Sequence, residues 1–141
     1  TKAFDLASDS AAFPKQLADG LKAHTTQRLF YSARPQGFRL EWANRLRAAG
    51  EDFPLPTPDQ LTHGNPPEDI HLELDVSDHL ETKMACIICH RTQVAPSWPY
   101  HRVPRDVAAW VIGREYYIQA RPSVGSGETV PDDIFEGISP D

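Results

Sequence analysis

Cys86-Ile87-Ile88-Cys89-His90 is the densest grouping of reactive side chains in this sequence. Two thiols three residues apart followed by His is the spacing at which thiols bond to haem vinyl groups and the imidazole ligates iron, as in a c-type electron carrier. Such a haem needs a distal ligand. The one methionine, Met84, sits two residues before Cys86 on the same helical pattern and cannot reach the opposite haem face, which leaves another His for that role. Cys86, Cys89, His90 and a distant His would also make a four-ligand zinc set. A redox dithiol wants its first Cys at a helix N-terminus, where the dipole lowers the thiol pKa, but Cys86 falls about nine residues inside its helix. The plainest reading treats Ile87 and Ile88 as part of an apolar stripe and both cysteines as small core residues.

Val130-Pro131-Asp132-Asp133 offers paired carboxylates of the kind that bind metal or serve as a base, yet no His accompanies them and a solvated turn is the simpler reading. His24, His63, His71, His79 and His101 fall singly on loops, a strand's outer face or a helix start, and read as surface residues. The sequence contains no Gly-rich phosphate loop, no Gly-x-Ser-x-Gly elbow and no His-Glu-x-x-His. Residue chemistry by itself names no reaction.

The elements that would position these groups follow from periodicity. Ala3, Phe4, Leu6 and Ala7 read as the end of a helix, and a second helix is predicted over 14–22, with Pro14 at its first position. Arg28 to Ser32 reads as a buried strand. A helix over 41–49 puts Trp42, Leu46 and Ala49 on one face, with Gly50 placed for a left-handed cap. The stretch 51–69 holds five prolines and reads as a long functional flap or interface segment that carries specificity. Ile70 to Leu74 alternates as a strand, with Ile70, Leu72 and Leu74 inward and His71 and Glu73 outward. Asp75 or Ser77 caps the strongest helix, 77–92, on which Leu80, Met84, Ile87, Ile88 and Arg91 recur. Beyond an aromatic-rich loop over 96–104, a helix from Pro104 runs to a stop at Gly113 and a strand covers 115–119. The tail 122–141 is rich in Gly, Ser and Pro and ends in Ile134, Phe135 and Ile138.

A chain of 141 residues, 40% hydrophobic and 9% aromatic, fills one core and excludes a disordered or fibrous class. Fourteen Lys and Arg against twenty Asp and Glu give a net charge of −6, the wrong sign for a nucleic-acid partner. The longest apolar run, Met84 to Cys89, is far short of the roughly 20 residues of a transmembrane helix. With only two cysteines, a reducing cytoplasm is the expected compartment. Alternating helices and short strands predict α/β layers around a small sheet. Three strands are few for one, so a missing half that covers and extends the sheet is expected.

Several segments, in order, resemble the LmbE-like or PIG-L family of zinc-dependent N-acetylglucosamine deacetylases. Asp75-Val76-Ser77 through Lys83 and then Cys89-His90-Arg91-Thr92-Gln93-Val94 are similar to the family's strand, Lys-bearing helix and closing His-x-Ser/Thr-Gln motif. Trp110 to Tyr117 is similar to its Gly-x-Glu-Tyr-Phe segment, and Asp133 to Ile138 to its Asp-Leu-Phe-x-Gly-Leu ending. Phe13-Pro14 to Tyr31-Ser32 is similar to the helix and strand that follow the last metal ligand. The resemblance implies the second half of an LmbE-like fold, a partial Rossmann-like layered α/β sheet, with 1–141 as one domain or domain fragment.

The resemblance also implies hydrolysis of an N-acetyl group on a small amino sugar or glycoconjugate. His90 takes a catalytic role and Gln93 a substrate-binding role at the loop after the helix. The family's His-Pro-Asp-Asp and His-Pro-Asp-His motifs do not occur here. Zinc ligands are therefore expected on an N-terminal half or second chain, no metal ligand is assigned to this one, and this chain alone is expected to be inactive. A homo-oligomer is left open. The readings from other classes are the haem carrier through Cys86, Cys89 and His90 and a non-catalytic module derived from the family.

Overall fold

A computed structural model describes residues 2–125 and 132–139. The elements are α1 (Lys2–Ala7), α2 (Pro14–Ala18), β1 (Leu29–Ala33), α3 (Phe38–Ala48), α4 (Pro58–Leu61), β2 (Leu72–Asp75), α5 (Leu80–Cys89), α6 (Arg105–Ile112) and β3 (Arg114–Arg121). Strand order is β1-β3-β2. Helices and a small sheet thus share one chain, as expected, but both strand ladders are antiparallel, and among the described residues parallel pairing is limited to an isolated bridge between Pro35 and Asn65. The reason is a contact between segments distant in sequence. The Val76 N–H donates to the Gly113 carbonyl at 2.7 Å, which fastens the end of β2 to the start of β3, so the two strands must run in opposite directions.

Strand β1 finds its partner within the chain, from Leu29 opposite Arg121 to Ala33 opposite Tyr116, with a register shift between Leu29 and Phe30. Among the described residues no further strand pairs with its outer edge or with that of β2. The core forms where Phe38, Leu80, Val111 and Ile112 meet, with Trp42, Met84, Ile87, Trp110 and Tyr116 packed around them. Helix α3 begins at Phe38, earlier than its apolar spacing predicts, because Phe38 stacks on Trp110 at 4.9 Å and is drawn into the core. Arg34 lies over Phe38 and Arg45 over Trp110, so cations hold both rings. Leu46 is buried as predicted, whereas Ala49 is the exposed cap, followed by Gly50 at φ 88°. Helix α2 stops at Ala18, short of 22.

Helix α5 departs most from expectation. Asp75 Oδ1 accepts the Ser77 N–H at 2.9 Å, residues 77–79 make a 3-10 turn, and the helix ends at Cys89. Leu80 is 2% exposed and Met84 and Ile87 are half-buried, but Ile88 is 39% exposed and Cys86 and Cys89 are both exposed. The cysteines are therefore not core residues of this chain. Leu80, Met84 and Ile87 use up the stripe that one neighbouring layer can cover, and the remaining apolar positions fall on the other side.

The Pro-rich stretch 51–69 is tied down rather than loose. The Asn65 N–H donates to the Arg34 carbonyl at 2.7 Å, the Gln36 N–H donates to the Asn65 carbonyl at 3.0 Å, and Asn65 Oδ1 accepts the Arg34 N–H at 3.3 Å. Gly64 permits this approach. At φ 118° a Cβ there would sit 2.7 Å from the Arg34 oxygen. The tail is also anchored, since the Arg28 guanidinium donates to the Ile134 carbonyl at 3.0 Å and to that of Glu136.

Gly64→Ala should lower stability by about 1–3 kcal/mol through strain and backbone clash. Cys86→Ala and Cys89→Ala should stay within about 0.5 kcal/mol, as exposed positions do. Urea midpoints of the three variants check both expectations.

Candidate functional site

Helix α5 and strand β3 meet at a cluster of three polar side chains. Lys83 lies one turn beyond the buried Leu80, so the periodicity that sinks Leu80 turns Lys83 toward β3. Glu115 and Tyr117 share one face of β3 by the two-residue alternation of a strand. Lys83 Nζ donates to Glu115 Oε1 at 2.7 Å, and the Tyr117 hydroxyl donates to Glu115 Oε2. Phe30, across the ladder, meets the Tyr117 ring edge-on at 6.2 Å. A cavity of about 280 Å³ opens beside the cluster, with Ser32, Ile87 and Arg114 also in its walls.

The hydrogen bond from Lys83, and after it that from Tyr117, holds the Glu115 carboxyl below its usual range. The same bond to Glu115, helped by burial, pushes the Tyr117 hydroxyl up to about 12. A carboxylate with both oxygens engaged and its proton affinity lowered is a poor general base. The cluster is suited to fixing α5 against β3 and walling a polar cavity.

His90 and Gln93 sit at the other end of α5. The His90 N–H donates to the Ile87 carbonyl at 3.1 Å, and the His90 carbonyl accepts the N–H groups of Gln93 at 2.9 Å and Val94 at 2.8 Å. This tight turn brings the two residues together through the backbone, and both side chains are exposed. One rigid helix thus sets the spacing between Lys83 and His90, about two turns apart. Lys83 and Glu115 were legible only as pieces of a resemblance, and their pairing needs the fold. The usable signal was a charge on the inward side of each of two apolar patterns.

The remaining candidates are dispersed. Asp133 Oδ1 accepts the Phe135 N–H at 2.8 Å and closes a turn, while Val130 and Pro131 lie outside the described residues. His71 is not an outward surface residue. It is half-buried and its Nδ1 accepts the Gln119 N–H at 3.0 Å, because just ahead of β2 its side chain can reach the next free donor of β3. His24, His63, His79 and His101 are exposed. Among the described residues no three His, Cys, Asp or Glu side chains are grouped to hold a metal ion. The zinc implied by the resemblance therefore does not fit these residues, nor does a set built on Cys86, Cys89 and His90. No helix among them is long and apolar enough to cross a membrane.

Comparison with known proteins gives relatives of one kind. The chain is 27% identical over 135 residues to a 1D-myo-inositol 2-acetamido-2-deoxy-alpha-D-glucopyranoside deacetylase of Geodermatophilus obscurus, a match covering 94% of this chain and 46% of the relative. A deacetylase of the same description from Acidothermus cellulolyticus is 28% identical over 115 residues, covering 79% of this chain and 39% of the relative. One from Saccharopolyspora erythraea is 30% identical over 132 residues, covering 86% and 42%. The chain spans less than half the length of these curated relatives. No protein-family model and no solved structure matches it. These three relatives are all described as deacetylases of an acetamido-deoxy-glucopyranoside of myo-inositol, and none of the three as a haem protein.

The cluster predicts two limbs of pH dependence. Glu115 has a lowered pKa in the fold, so its stabilisation is full above the ordinary value of 4.5 and fades as pH falls below it. Tyr117 has a raised pKa, so its stabilisation is full below 10.0 and fades as pH rises to about 12. Tyr117→Phe should cost about 1 kcal/mol at pH 7 and flatten the alkaline limb. Lys83→Met should cost about 1 kcal/mol or less and flatten the acid limb. Urea unfolding midpoints across pH 3–12 check these outcomes, and unchanged limbs in both variants would remove the cluster's role.

Proposed function

We propose that this chain is the C-terminal part of a metal-dependent hydrolase that removes the N-acetyl group from a GlcNAc-type amino sugar or glycoconjugate. It acts with an N-terminal part that holds the zinc, on the same chain or on a second one. The observation that carries this reading is similarity running through 94% of this chain to a deacetylase of an acetamido-deoxy-glucopyranoside of myo-inositol.

Physical features of the chain support it. Helix α5 has apolar residues on both sides, with Ile88, Cys86 and Cys89 exposed. Strands β1 and β2 each have one edge without a strand partner among the described residues. These are surfaces that another half of a Rossmann-like LmbE fold would cover, and uncovered edges favour association with other chains. In this reading 1–141 is one structural unit, 51–69 is a specificity segment and 122–141 a tail.

Hydrolysis of an acetamide passes through a tetrahedral oxyanion. His90, at the exposed end of α5, is assigned the donor imidazole that stabilises this charge, which exists only in the transition state. Gln93, held in the turn that closes on the His90 carbonyl, is assigned a contact to the substrate. In this reading the zinc would be held by the N-terminal part, where it would supply an activated water, and no metal ligand is assigned to the described residues.

Co-expression with a polypeptide carrying His-Pro-Asp-Asp tests the reading through acetate release from GlcNAc-inositol. The pair should deacetylate and this chain alone should not. The isolated chain should unfold at or below ordinary mesophile temperatures of about 45–65 °C, and the pair at a higher one. His90→Ala in the pair should lower kcat on the order of 10²-fold or more, with zinc content and KM little changed. Stoichiometric zinc and activity in the isolated chain, or a zinc-loaded pair without activity, would overturn the proposal.

A further inference from the structure

A second cavity, of about 420 Å³, lies between the first turns of α3, the segment that follows that helix, and the loop before α6. Its walls are aromatic. Trp42 and Phe53 pack with ring centroids 5.1 Å apart and planes inclined at 43°, and Trp98 adds an indole that is 38% exposed. Its polar groups are fixed. Arg102 donates from Nε to Glu51 Oε1 at 3.2 Å, from Nη2 to Glu51 Oε2, and from Nη1 to the Ser97 carbonyl at 2.8 Å. Three bonds hold the guanidinium in one plane, and the paired carboxylate is mostly buried, with 19% of its side chain exposed.

The charges in the lining balance, with Arg39 and Arg102 against Glu51 and Asp52. An anion would face two carboxylates and a cation two guanidinium groups, so the site favours a neutral ligand. Flat aromatic walls suit the C–H faces of a saturated ring, and carboxylate and guanidinium edges suit hydroxyl groups around its rim. We propose that this cleft of Trp42, Phe53, Trp98, Glu51 and Arg102 binds a neutral polyhydroxylated six-membered ring, a pyranoside or a cyclitol. The choice of ring rests on the deacetylase reading, whose relatives are described as acting on a glucopyranoside of myo-inositol. Binding in the cleft needs neither His90 nor a metal and is tested apart from activity. It also gives a physical function to the start of the Pro-rich stretch and to the aromatic loop.

The chain has three tryptophans, and the third, Trp110, stacks on Phe38, carries Arg45 over its ring and is not part of this lining. Indole N–H resonances of the 15N-labelled full chain at pH 7 and low temperature therefore report the cleft against an internal control. Methyl α-D-glucopyranoside and myo-inositol are titrated separately, and the ring that binds more tightly distinguishes sugar from cyclitol. At least one should shift the Trp42 and Trp98 resonances saturably, half-saturating on the order of 1–10 mM, with Trp110 unmoved. Trp98→Ala and Glu51→Gln should each weaken binding about tenfold or more, and Trp98→Phe, which keeps a flat ring, should stay within about threefold. Absence of saturable shifts up to about 100 mM of either ring, equal shifts at all three indoles, or saturation by inorganic phosphate in place of both would overturn the assignment.

Discussion

Strand β3 is hydrogen-bonded along both edges, to β1 on one side and β2 on the other, and the rest of this small structure depends on it. Neither neighbour is joined to it by a hairpin. The β1 partners are more than eighty residues away in sequence and those of β2 about forty, so the sheet closes only when distant segments meet. The cost of those long closures is offset where the strand also carries its own anchors. Gly113 ties its start to the end of β2, Glu115 ties it to α5 through Lys83, and Gln119 receives the His71 ring.

The same anchoring explains why α5 holds Lys83 and His90 at a defined distance from the sheet. Leu80 fixes the first turn in the core, the Lys83–Glu115 pair fixes the second against the sheet, and the tight turn on the His90 carbonyl closes the end. An ion pair about one-third exposed contributes modestly to stability. Its larger effect is orientation, since the Tyr117 hydroxyl fixes the Glu115 carboxylate on β3 and Lys83 ties α5 to that fixed group. The price is an outer face of α5 with Ile88, Cys86 and Cys89 facing solvent.

Long segments with little regular structure are likewise ordered by a few strong contacts, beyond the short helix α4 and its Thr57–Gln60 capping box. Asn65 joins the Pro-rich stretch to the β1–α3 turn, and Arg102 joins its start to the loop before α6 through Glu51. Proline lowers the entropy that such stretches lose on folding, which makes a handful of side-chain clasps sufficient. Arg28 does the same for residues 134–136 of the tail.

Apart from α4, which forms inside the Pro-rich stretch that reads as a loop, the sequence by itself determined which segments become the longer helices and strands, because apolar spacing and the stops at proline and glycine are local properties. Leu46, Leu72, Leu80 and Val111 are buried where periodicity placed apolar faces. It also carried the ordered motifs that resemble a deacetylase, and curated relatives of that description do match. Strand direction and the partner of β1 were decided only by the tertiary structure, since pairing joins residues that no sequence window contains. So was the fate of Cys86, Cys89 and Ile88. A helix's periodicity marks apolar positions, but which of them are covered depends on how many neighbouring layers exist, and here one layer covers only the Leu80, Met84 and Ile87 side. His71 moved inward for a related reason, as a side chain next to an unpaired backbone N–H is drawn to it whatever its polarity suggests.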